Sequence, residues 1–156
     1  MDEEVVEVLR RGFQHTPLHQ VLGLRMLTSD PGTVVIEMPV APGAFNQTGN
    51  LHGGAIATLV DVACGSAAAQ ASTFVPGENT LVTADLHVRY LGRPKGDAVR
   101  AEAHVVRAGR QLVVVECRVL DPQDNVIALV DFAAMVVPLR EPLRPSEQAD
   151  PRAPDL

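Results

Sequence analysis

Residues 46–71 read NQTGNLHGGAIATLVDVACGSAAAQA, and the second part of this stretch decides the fold. From His52 onward the run is rich in alanine and predicts a helix over residues 52–71. Between Gly53 and Ala71 the only ionisable side chains are Asp61 and Cys64, so the helix is apolar nearly all round and is expected to be buried on every side. Membrane insertion is the rival reading. The run is short, and an Asp at its centre would cost roughly 2.5–3.5 kcal/mol in a bilayer, so a core helix is favoured and no membrane partner is expected.

Working outward, residues 41–50 have loop composition, and two β-like runs, LRMLTS and TVVIEMPV, precede them around the turn Asp30-Pro31-Gly32. Val5, Val6, Leu9 and Phe13 recur at helical spacing among charges, which predicts a first amphipathic helix that Pro17 ends or restarts. Beyond Pro76-Gly77, residues 80–91, 97–107, 111–120 and 125–137 carry strand alternation. In the first of these Val82, Ala84, Leu86, Val88 and Tyr90 alternate with Thr83, Asp85, His87 and Arg89, and the four runs predict an antiparallel meander. A curved antiparallel sheet wrapped around one long central helix, of class α+β, buries such a helix. One domain over residues 1–137 is expected, with residues 138–156, proline-rich and nearly without apolar side chains, as a disordered tail.

A formal charge of -6 over 156 residues argues against a nucleic-acid partner, which would need a basic face. Cys64 and Cys117 are too few for a disulfide framework and have no CxxC spacing, so both read as buried thiols. His15 and His19 stand four apart, but Pro17 interrupts them, so no metal site is expected. The first residues, MDEEVVEVLRRGF, resemble neither a signal nor a transit peptide, and the cytoplasm is the expected compartment.

A carboxylate amid apolar neighbours is expensive unless it is paired or has a task, which marks Asp61 as a candidate general base or nucleophile; a structural Asp reaching a loop amide or a partner chain is the alternative. Gly53 and Gly54 open the helix with bare N–H groups at its positive end, an anion or oxyanion site unless they serve only close packing. The phosphate-loop ending Gly-Lys-Ser/Thr is absent. At ~1.5 Å per residue, Gly53 and Asp61 lie roughly 12 Å apart along the helix and cannot address one carbonyl. If both act in one reaction, the Asp comes from a second chain whose helix lies antiparallel, which makes a homodimer with two equivalent sites the catalytic unit.

Asn46, Gly49, His52-Gly53-Gly54 and Asp61 together resemble the signature of the hotdog thioesterases of the phenylacetate-degradation (PaaI-like) type. The resemblance implies a hotdog fold of five or six strands, dimers that often pair into homotetramers, and metal-free hydrolysis of acyl-CoA, with coenzyme A as part of the substrate and no cofactor. It casts Asp61 as the catalytic carboxylate, Gly53 as the oxyanion donor and Asn46 as the polar residue beside the thioester. His52 then shapes the loop, and Thr83 positions the water. Coenzyme A carries phosphates, for which Arg93, Lys95 and Arg110, in turns, and Arg89 are the candidate cations; Arg107 is a further one. A non-catalytic acyl-CoA or acyl-carrier binding protein is the second reading, and a dehydratase or isomerase on the same fold a third. A binder would have no need of Asp61, and the dehydratases carry a different His pattern. An apolar strand face left after wrapping the helix would favour further pairing of dimers.

Overall fold

A computed structural model describes residues 3–139. The expected first helix is split by Pro17 into α1 (Glu3–His15) and α2 (Pro17–Leu22), the latter closed by Gly23 in the left-handed conformation. Strands β1 (Arg25–Asp30) and β2 (Thr33–Pro39) form the hairpin around Asp30-Pro31-Gly32. A single 3-10 turn, Pro42–Ala44, interrupts the loop before α3 (Gly53–Ala71). Four long strands follow: β3 (Asn79–Tyr90), β4 (Ala98–Ala108), β5 (Leu112–Leu120) and β6 (Val126–Pro138). The expected tail lies outside the described residues apart from Pro138, which ends β6, and Leu139.

All six strands form one antiparallel sheet in the order β1-β2-β4-β5-β6-β3. Alternate residues of its inner face, among them Val34, Ile36 and Met38, Val99 and Ala101, and Val113 and Val115, pack on α3, which buries Leu59, Val60, Ala63 and Cys64 completely. This is the hotdog arrangement of class α+β.

Three expectations need correction. The last four strands are not a simple meander: β4, β5 and β6 are, joined by tight turns, but β3 lies beyond β6 at the sheet edge. The segment 91–97 is too long for a tight hairpin and long enough for this jump, since seven residues extend over about 23 Å and three strand places need only about 14 Å. Nor is α3 buried on every side. Ala57, Thr58, Asp61, Val62, Gly65, Ser66 and Gln70 form a half-buried stripe along it, because the sheet of one chain covers only the opposite side.

A third correction concerns Thr83. Strict alternation puts it on the polar face with Asp85, but a bulge between Thr83 and Asp85 shifts the phase of β3 by one residue. Thr83 is paired with buried Ala134 and so lies on the helix side with Leu86 and Val88, while Val82 turns outward opposite Met135.

Candidate active site

The loop before α3 is built from its own polar side chains. Asn46 Oδ1 accepts from the Thr48 N–H at 3.0 Å, the Thr48 hydroxyl at 2.7 Å and the Asn50 N–H at 3.1 Å. Its Nδ2 donors have no partner among the described residues. Gly49 closes the turn by donating to the Asn46 carbonyl at 3.0 Å with a φ of 73°, which a side chain would resist. His52 is the residue before the helix. Its Nδ1 accepts from the Gly54 N–H at 2.8 Å, so the neutral ring carries its proton on Nε2.

That cap separates the two glycines. The Gly54 N–H is consumed inside the loop, and its Hα faces the imidazole so closely that a Cβ there would lie 3.0 Å from Nδ1. The Gly53 N–H has no partner among the described residues and stands at the positive end of a 19-residue helix. It is held in place from the sheet: the Tyr90 hydroxyl, at the end of β3, donates to the Gly53 carbonyl at 2.9 Å. Sequence reasoning missed Tyr90, although its being the only tyrosine of the chain, on the apolar side of β3, was a usable signal.

Two turns along α3, Asp61 is half-buried on the uncovered stripe. The Thr83 hydroxyl donates to its Oδ1 at 2.8 Å, while Oδ2 accepts from no described group. Both residues line a cavity of about 310 Å³ with Leu9, His19, Ser66 and Phe74. One oxygen is thus fixed and the other is free toward an open space, the geometry of a carboxylate able to take a proton or attack. Cys64, one turn further, is completely buried, and the neighbouring Cys117 thiol together with desolvation pushes its thiol far up, so it is no competing nucleophile.

The remaining candidates are spread out. Arg93 and Lys95 are exposed in the segment after Tyr90, which puts them at the Gly53 end of α3. Lys95 is anchored by its N–H, donated at 2.9 Å to the buried carboxylate of Asp121. Burial acts to raise the pKa of Asp121, but the Asn125 side chain and the N–H groups of Lys95, Asn125 and Gln123 outweigh it and hold the carboxyl at about 2. Arg110 lies at the opposite end of α3, its carbonyl accepting from the Thr73 hydroxyl at 3.3 Å. Arg89, opposite Leu129, points to the outer face of the sheet, away from Asp61. Arg107, next to the β4 bulge and opposite Val114, is on that outer face too. His15 and His19 are not a pair: the Nδ1 of each bonds a different carbonyl, of Arg11 and Phe13, at 2.9 and 3.0 Å.

Residues 48–128 match the sequence model of the thioesterase superfamily. The chain is 32% identical over 114 residues to acyl-coenzyme A thioesterase 13 of Homo sapiens, covering 72% of this chain and 79% of that protein. A thioesterase family protein from Silicibacter pomeroyi superposes with a TM-score of 0.76 at 28% identity, over 86% of this chain and 99% of that one. The PaaI protein of E. coli, from the phenylacetic acid degradation operon, shares the fold with a TM-score of 0.74 at 21% identity, over 85% and 93%. This chain belongs to the thioesterase superfamily and is a thioester hydrolase of the hotdog fold.

Proposed function

We propose that the protein hydrolyses acyl-CoA to the free acid and coenzyme A in a homodimer, with Asp61 of one protomer and the Gly53 N–H of the other acting on the same thioester carbonyl. The observation that carries this reading is the pair of unspent groups on α3: Asp61 Oδ2 and the Gly53 N–H, roughly 12 Å apart and so out of reach of one carbonyl within a single chain. The dimer is supported by the unpaired edge of β3, twelve residues long, beside the half-buried stripe of α3. Pairing two β3 edges antiparallel would continue the sheet and lay the two helices side by side. A patch of Val82, Leu112 and Met135, all exposed, on the outer face supports a further pairing into tetramers.

In this scheme Asp61, steadied by Thr83, either removes a proton from the water that attacks the carbonyl or attacks the carbonyl itself, giving an acyl-aspartate anhydride that water then cleaves to the free acid. The Gly53 N–H and the Asn46 amide receive the developing oxyanion. Collapse expels the coenzyme A thiolate, whose phosphates would meet Arg93 and Lys95 at the mouth. No cofactor is called on.

The test is thiol release from phenylacetyl-, benzoyl- and hexanoyl-CoA by wild type and Asp61→Asn. Loss of more than about a hundredfold in a folded variant supports the role of Asp61. Undiminished turnover by Asp61→Asn would remove that residue from the mechanism, and absence of turnover by both proteins would favour a ligand-binding role.

A further inference from the structure

The amphipathic helix α1 joins the core through Phe13, near its C-terminal end. Its charged side is tied together by Glu7, which accepts from Arg10 and Arg11 at 2.9 Å each, and N-terminal to Phe13 its other side faces a space. That space is a chamber of about 430 Å³, within the roughly 300–1,000 Å³ of pockets that hold drug-sized ligands, and its lining is predominantly apolar: Val6, Leu9 and Phe13 from α1, Met26 from β1, and Phe74. Val6 remains 40% exposed for want of anything beneath it.

Two continuities give the chamber its meaning. Leu9, His19, Ser66 and Phe74 line both it and the Asp61 cavity, so these four side chains form a neck between the two. At the other end, Arg10, Phe13, Met26 and Ser29 are shared with a surface cleft of about 480 Å³ between α1 and β1. The chamber therefore adjoins the Asp61 cavity at the neck on one side and the cleft between α1 and β1 on the other. It has no floor.

Resting on the thioesterase reading above, we infer that these adjoining spaces form one path that seats the substrate's acyl tail and that it selects medium- to long-chain aliphatic acyl groups. A flat ring would be served by a closed slot, whereas a lining of Val, Leu, Met and Phe around an open passage suits a flexible chain. Each methylene moved from water into the chamber contributes up to about fourfold in kcat/KM, and the open end removes any sharp upper limit on length. Ser66 is the smallest of the neck residues, so a larger side chain there narrows the neck.

The experiment measures kcat/KM for acetyl-, hexanoyl-, dodecanoyl-, hexadecanoyl- and phenylacetyl-CoA with wild type, Ser66→Phe and Leu9→Trp, and calorimetric binding of dodecanoate to each. The expected result is a steep rise from acetyl to dodecanoyl that holds at hexadecanoyl. Each variant is expected to lower the dodecanoyl-to-acetyl ratio by more than about tenfold and to weaken dodecanoate binding similarly. Leu9→Trp closes the same neck from α1, and so carries the test if Ser66→Phe fails to fold. Dodecanoate binding that the variants abolish, with no thioester hydrolysed, would uphold the chamber and overturn the enzymatic reading. Hydrolysis indifferent to chain length, or fastest on phenylacetyl-CoA, would uphold the enzyme and overturn the chamber.

Discussion

The Thr83 hydroxyl, on edge strand β3, donates at 2.8 Å to Asp61 Oδ1, in the middle of α3, and so fixes which carboxylate oxygen stays free. Thr83→Val keeps the shape and removes the donor. Hydrogen bonds to charged groups are worth about 1.5–3 kcal/mol, and exposure of Thr83 favours the low end, so kcat should fall by about tenfold. Thr83→Ser should restore it, which a merely packing role would not predict.

His52 and Gly54 act as one unit, the ring of the first capping the N–H of the second. His52→Ala should lower stability by about 1 kcal/mol through loss of the cap, and Gly54→Ala should do much the same by driving the ring off its Nδ1 position. Chemical denaturation of the two single variants and the double should give costs that do not add, because the second change removes nothing that the first has left.

Tyr90→Phe leaves the ring against Gly53 and deletes only the 2.9 Å bond to its carbonyl. The expected cost is about 0.5–1 kcal/mol of stability, with kcat reduced several-fold and KM little changed, since the helix start is loosened where the oxyanion would bind. Steady-state kinetics beside thermal melts separate the two effects.

Asp121 gives the fold a dependence on acid. Its carboxyl is held at about 2 in the folded chain against an ordinary 3.8, so the stability it contributes is fully present above about pH 4 and drains away as the pH falls toward 2. Urea midpoints of wild type and Asp121→Asn should differ most at neutral pH and converge as the pH falls to about 2. A gap that stays constant would mean the carboxylate charge is not what the turn uses.

The helix and strand boundaries were legible because periodicity, proline and turn residues mark them locally. Asp61 and Gly53 were legible because each is chemically out of place: a lone carboxylate in alanine-rich surroundings, and bare glycines at a helix start. The position of β3 was not, since its inner-face residues would satisfy either neighbour and only the length of 91–97 hints at the jump. The orientation of Thr83 depends on a bulge at Ala84, which no side-chain pattern announces. Arg89 looked as suitable as Arg93 from sequence charge alone, and only the pairing of Arg89 with Leu129 places it on the far face. The uncovered stripe of α3 went unseen because composition gives hydrophobicity and not how much wall a single chain can supply.

The place of β3 at the rim also orders events during synthesis. Asn79 opens the strand, yet its ladder partner Pro138 closes β6, so β3 emerges early and must wait for almost the entire remaining sheet before it has a neighbour. Until then Thr83 has nothing to hold it beside Asp61. A nascent or clipped chain lacking β6 would therefore lack the Thr83–Asp61 hydrogen bond, however complete its helix.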